Sequence, residues 1–238
     1  MITKDIDAVQ KSKIKIHLPS ITSESILLGI LLAIVGGLLD AYTFIERGGV
    51  FANAQTGNIV LVGIEAFKGN WGQALMESLP IFAFIIGVIV AEAIKKDSSI
   101  LFIPNSKRAV LVLEIGILFI VGFIPNTISN TLVNVAISFV ASLQFSSFNK
   151  LVDSPYATTM CTGNLRSASQ AAYVAFTKKD RKAAIKAVCY FIIIFSFLLG
   201  AFLGGLLTFS IGTQAVWGAA ILLVFSLILL HIDERKAD

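Results

Sequence analysis

Thr-Gly-Asn occurs twice in this chain, at Thr56-Gly57-Asn58 and at Thr162-Gly163-Asn164, 106 residues apart. Each copy offers a hydroxyl and a carboxamide at a spacing that suits the first turn of a helix. There the backbone N–H groups have no partner within the helix and the helix dipole is positive. The side chains can cap those groups or share them with a ligand, and the glycine lets backbone or a bound group come close. Gln55 precedes the first copy and Arg166 follows the second, adding a second carboxamide and a guanidinium. Two helix starts so equipped suit a ligand with polar or anionic groups. Asp40 lies upstream in an apolar run, where a carboxyl serves either as a proton carrier or as the ion-pair partner of Arg166. The competing reading is that both motifs only cap helices and pack.

The elements that must hold these residues are apolar and long. Of 238 residues, 56% are hydrophobic and 14% charged, against about 25% charged in ordinary soluble domains. Mean hydropathy is +0.84. A soluble globule could not hide that much apolar surface and a disordered chain would not contain it, so the chain reads as an integral membrane protein. Six runs suit spanning helices, at 26–45, 77–94, 108–124, 129–148, 184–207 and 213–231, since a span needs roughly 17–25 residues. Two more stretches, 50–67 and 156–176, open on the polar motifs and only then become helix-like.

Basic residues choose between six and eight crossings. With Arg166, inside the second stretch, left out of both counts, six spans with two re-entrant stretches place sixteen Lys and Arg inside and two outside; eight spans give twelve and six. The positive-inside rule selects the first arrangement. The shift of 106 residues also carries the span at 77–94 onto 183–200 and that at 108–124 onto 214–230. Each half then crosses three times, so the second is upside down relative to the first, an arrangement found among transporters. The expected fold is therefore an all-α polytopic membrane protein with six transmembrane helices and two re-entrant half-helix segments in two inverted repeats. A cytoplasmic tail at 1–25 precedes repeat 1 at 26–124, the inverted repeat 2 at 125–231, and a cytoplasmic tail at 232–238.

Other residues take plainer readings. Glu92 is expected to snorkel, Glu65 to face an outer vestibule, and Glu114 to pair with Lys107 and Arg108 at the membrane edge or to hold a second proton. Trp71 and Trp217 suit interfacial anchors. Gly29-x₃-Ala33-x₃-Gly37 and Gly200-x₃-Gly204 are small-residue seams for helix contact, within the subunit or in a homodimer. Cys161 and Cys189 fit small buried side chains. His17 and His231 stand at opposite ends of the chain, so no metal site is expected, and no cofactor. The net charge of +4 lies in short basic clusters between apolar runs, a topology signal and not a nucleic-acid surface.

The stretch Gly37-Leu38-Leu39-Asp40-Ala41-Tyr42-Thr43-Phe44, with Gly48-Gly49-Val50-Phe51-Ala52-Asn53-Ala54-Gln55-Thr56-Gly57-Asn58 after it, resembles the signature of the YoaK-like family. Tyr156-Ala157-Thr158-Thr159-Met160-Cys161-Thr162-Gly163-Asn164-Leu165-Arg166 is similar to that family's second motif. The resemblance covers about 25–231 and implies a multi-pass protein of the bacterial inner membrane, without assigning an activity.

The expected function is secondary transport of a small anionic or polar metabolite. Gln55, Thr56, Gly57, Asn58, Thr162, Gly163, Asn164 and Arg166 would contact substrate, and Asp40 would carry the coupling proton. A passive channel on the same plan and a non-transporting scaffold or sensor are the alternatives. No nucleophile–base pair is apparent in the sequence, so no enzyme is expected.

Overall fold

The computed structural model describes residues 26–96, 105–151, 154–155, 159 and 161–237. The expected N-terminal tail at 1–25, residues 97–104, and Tyr156, Ala157, Thr158 and Met160 of the second motif lie outside the described residues. The described chain is all-helical apart from a small β-ladder. Its helices are α1 (Ile26–Glu46), α2 (Gln55–Phe67), α3 (Trp71–Lys96), α4 (Ser106–Val121), α5 (Asn130–Ser147), α6 (Cys161–Lys178), α7 (Arg181–Ile211) and α8 (Val216–Ala237). Strands β1 (Lys150–Leu151) and β2 (Ser154–Pro155) pair antiparallel before α6.

Local chemistry sets several of the boundaries. Asn105 Oδ1 accepts from Lys107 N at 2.9 Å and Arg108 N at 3.2 Å to start α4. Asp180 Oδ1 does the same for α7, from Lys182 N at 2.8 Å and Ala183 N at 3.3 Å. Both use the side-chain oxygen that an orphaned first turn requires. Pro80 sits inside α3, where it forfeits a helical hydrogen bond that membrane helices tolerate when neighbours compensate.

Among the described residues, length and composition mark three helical stretches able to cross a membrane: Ile26–Glu46, Trp71–Lys96 and Arg181–Ile232, the last comprising α7, a short 3₁₀ turn and most of α8. The expected spans at 108–124 and 129–148 fall on α4, which has 16 residues, and α5, which has 18 and carries Asn134, Ser138, Ser142 and Gln144. The physical reason is length for α4 and position for α5. α4, α5, α8 and the core side of α1 enclose one apolar core, with Leu32, Leu39, Leu111, Leu118, Ile137, Val140 and Leu223 all buried. α5, mostly buried among its neighbours, need not be uniformly apolar, whereas α4 is short and still turns Val112, Phe119 and Ile120 outward. α3 and α7 turn Phe82, Ile86, Ile89, Phe195, Leu198 and Phe202 outward, as a lipid-facing surface would. The molecule is a multi-pass membrane protein.

The small-residue seams serve contact within the chain. α1 and α7 run parallel: an added Cβ at Gly200 would strike Ile34 O, and one at Gly204 would lie 2.7 Å from Leu38 O. α8 returns antiparallel to α1, with Gly212 near Glu46 and Gly218 near Leu38.

One end of the bundle gathers the end of α1, the end of α4 and the starts of α5 and α8. Arg47 Nη2 donates to Ile124 O at 2.7 Å, Asn134 Nδ2 donates to Arg47 O at 2.8 Å, and Gly122 lies against Trp217. α1 and α4 therefore finish at the same end, and α4 and α8 pack antiparallel.

Candidate functional site

After α1 the chain turns back on itself. Gly48 and Gly49 adopt φ of +87° and +80°, values that favour glycine. The segment then runs down beside α1 until Asn53 reaches Gly36 and Asp40. Asn53 N donates to Asp40 Oδ1 at 2.7 Å; its Nδ2 donates to Gly36 O at 3.1 Å and to Asp40 Oδ1 at 3.3 Å. Asp40 is six residues from the end of α1, so at 1.5 Å per residue it lies about 9 Å inside that end. α2 starts at this depth.

Asn58 fixes the segment. It is fully buried; its Oδ1 accepts from Phe51 N at 3.0 Å, and its Nδ2 donates to Phe51 O at 2.7 Å and to Gln55 Oε1 at 3.0 Å. Gly57 belongs to the same clasp, since a Cβ there would lie 3.0 Å from the Phe51 ring. The N-cap of α2 is Ala54, which makes no side-chain capping bond. Asn58 thus clamps an extended segment where the sequence suggested a cap or a ligand contact.

A cavity of about 550 Å³ opens where the two motif helices begin. α1 contributes Asp40, Ala41, Phe44 and Ile45. The returning segment and α2 give Phe51, Asn53, Ala54, Gln55 and Thr56. The second motif and α6 add Thr159, Cys161, Thr162 and Gly163, and α7 closes it with Phe197 and Ala201. Of the expected site residues, Asp40, Gln55, Thr56, Thr162 and Gly163 come together here. Gly57, Asn58, Asn164 and Arg166 are not among the lining residues. Asn164 is buried with Ala168 and Ala171 on α6, while Arg166 is exposed on that helix.

The expected Asp40–Arg166 pair is not formed. Ion pairs among the described residues join Glu65 to Lys68 and Glu92 to Lys95, each at 2.6 Å. Asp40 is 6% exposed and faces the start of α2 through Asn53, so the positive end of that helix already meets a carboxylate. Such a cavity can hold hydrogen-bonding solutes beside a buried carboxyl group.

Sequence reasoning missed three features. Arg47 reads as a loop residue but is fully buried, donating from Nε to Tyr42 OH at 2.9 Å. The Gly48-Gly49 pair was the available signal, since it marks a sharp return of the chain. Asn53 was visible in the motif without a role. Glu114 is fully buried in α4 and faces Gln144 of α5, not a basic pair. With its amide nitrogen turned inward, Gln144 donates to the two carboxylate oxygens at 3.2 and 3.3 Å.

Comparisons with known proteins place the chain. The UPF0700 transmembrane protein YoaK of Bacillus subtilis (strain 168) is 27% identical over 140 residues, covering 58% of this chain and 62% of that protein. The match therefore spans less than two thirds of its relative. No solved structure matches. A family model described as "Protein of unknown function (DUF1275)" matches residues 28–229, nearly the whole length over which the YoaK-like resemblance was read, and the chain belongs to that family.

Proposed function

We propose that this protein is a secondary transporter that carries a small polar solute across the bacterial cytoplasmic membrane in exchange for, or together with, a proton on Asp40. The observation that carries the reading is the cavity where the beginnings of α2 and α6 meet a buried carboxylate at membrane depth. Backbone that is neither helix nor sheet is tolerated there only when buried in protein or lining a wet space.

Six crossings and two re-entrant half-helices in inverted repeats make this cavity the alternating site. Three contacts support that plan. α1 and α4 finish at one end of the bundle, so the chain between them crosses an odd number of times. Helices related by a two-fold axis in the membrane plane pack antiparallel, as α4 and α8 do. The neighbour pairs also exchange under the 106-residue shift, with α1 on α7 matched by α5 on α3 and α2 on α3 matched by α6 on α7. The count of basic residues supports a cytoplasmic placement of both termini.

An anionic solute suits the site less than a neutral or cationic one. Asp40 already occupies the positive end of α2, and Arg166 does not line the cavity. The test is proton flux in proteoliposomes, followed with a trapped pH dye while solutes of each class are added outside. Solute-driven flux that Asp40→Asn abolishes supports coupled transport. Solute conduction that survives the substitution unchanged points to a channel, and no flux of any kind removes the transport reading.

A further inference from the structure

The class of solute follows from the side chains that share the cavity with Asp40, and the inference rests on the transport reading of that site. Among the described residues, Cys161 is the other titratable residue lining it, and no Lys, Arg or His does so. Three aromatic rings among the described residues line the same space: Phe44, Phe51 and Phe197. Phe44 and Phe51 stack with centroids 4.9 Å apart and planes at 21°, and Phe44 remains 49% exposed. The face of an aromatic ring attracts a cation through its quadrupole, more strongly as water is excluded. A carboxylate beside such rings adds charge attraction. Both hydrogen bonds from Asn53 fall on Oδ1 of Asp40, the backbone of Ala52 and Ala54 also bonds the carboxyl, and no ion pair engages it among the described residues.

Each class of small solute meets this lining differently. An anion meets a like charge and finds no basic partner among the described lining residues. A neutral polyol can use the threonines but gains nothing from the rings. A compact organic cation gains from the carboxylate and from the rings together, and about 550 Å³ is room for a small molecule of that kind. We infer that the cavity binds a small organic cation, a protonated amine or quaternary ammonium, held between the Asp40 carboxylate and the rings of Phe44, Phe51 and Phe197.

The experiment titrates the purified full chain in detergent with tetramethylammonium and n-butylammonium chlorides at constant ionic strength. Sodium acetate and glycerol serve as anionic and neutral probes, and thermal stabilisation and calorimetry read binding. At least one ammonium is expected to bind more tightly than acetate or glycerol. Asp40→Asn should weaken it tenfold or more. Phe44→Leu keeps apolar bulk at a half-exposed position and should weaken it roughly fivefold, the scale of a lost cation–π contact; it decides the matter where Asp40→Asn fails to fold. Failure of both ammonium ions to bind overturns the inference, as does ammonium binding that neither substitution changes, or equal binding of acetate. The transport reading is judged separately: coupled flux driven by a neutral or anionic solute would keep it while removing the organic cation.

Discussion

Replacing Asn58 with alanine separates a clamp from a ligand contact. The side chain holds Phe51 N at 3.0 Å, Phe51 O at 2.7 Å and Gln55 Oε1 at 3.0 Å. Alanine strands both backbone groups of Phe51 and one amide oxygen. A buried polar group left unsatisfied costs about 1–3 kcal/mol. Phe51 is only half-buried beside a cavity that water can enter, so the lower end applies to each group and the total is roughly 2–3 kcal/mol. For a chain of this size that corresponds to a fall of roughly 5–10 °C in Tm. The assay is thermal unfolding of the detergent-solubilised protein with no ligand present, at a fixed scan rate because unfolding of such proteins is often irreversible. Hydrogen exchange at the Phe51 amide should rise in parallel, because its acceptor is gone. An unchanged Tm with unchanged exchange at Phe51 would refute the clamp. If solute binding alone were lost, Asn58 would be the ligand contact that its motif suggested.

Other expectations follow from single contacts. Gly37→Val should prevent assembly of the α1–α7 pair, since an added Cβ meets Phe197 O and lies 2.7 Å from Ala201 N; Gly163→Ala should be silent in stability, with nothing within 4 Å. Size-exclusion profiles and Tm distinguish the two. Arg47→Lys should destabilise by about 2 kcal/mol or more, because a lysine cannot reproduce the fork that reaches Tyr42 OH and Ile124 O together; a Tm within 1–2 °C of wild type, at roughly 2–4 °C per kcal/mol, would contradict this. A cysteine at Asn70, at the turn between α2 and α3, should label with an impermeant maleimide from outside whole cells; labelling only after permeabilisation would favour eight crossings. Glu114→Gln should retain stability while Glu114→Lys should not, as measured by yield of folded protein. A buried charge without a partner costs several kcal/mol, and Glu114 faces the neutral Gln144.

The legible parts of this fold were those in which a local pattern has one physical solution. Apolar runs can only be buried or face lipid, so helices were found at each expected span. Gly37, Gly200 and Gly204 could serve only close approach, and they do so at α1–α7. Thr-Gly-Asn marked the start of two helices, with α2 beginning at Gln55 and α6 at Cys161. The illegible parts depend on which group reaches which across the fold. An Asn at the fourth position of a helix looks equally like a cap or a ligand donor; only the return of Phe51 alongside it makes it a clamp. Arg166 and Asp40 looked like partners because both are costly in lipid. Nothing in the sequence says that Arg166 sits on the exposed face of α6 while Asp40 faces Asn53.

The 106-residue register separates scaffold from chemistry. Thr56, Gly57 and Asn58 coincide with Thr162, Gly163 and Asn164, yet the ionisable groups do not coincide with anything similar. Asp40 corresponds to Ser146, Glu114 to Ala220 and Val60 to Arg166. A site built only from the shared residues would present two like helix starts and favour an anion shared between them. Asp40 breaks that equivalence from one half alone, placing a carboxylate at the start of α2 and against the cavity. Positions that depart from an otherwise consistent pattern are where function is expected to reside. An Asp40→Ser, Ser146→Asp double variant tests this directly. It moves the carboxylate to the corresponding place in the other half, and the reasoning requires that ammonium binding be lost from the cavity. Retention of binding would mean that the lining residues other than Asp40 select the solute.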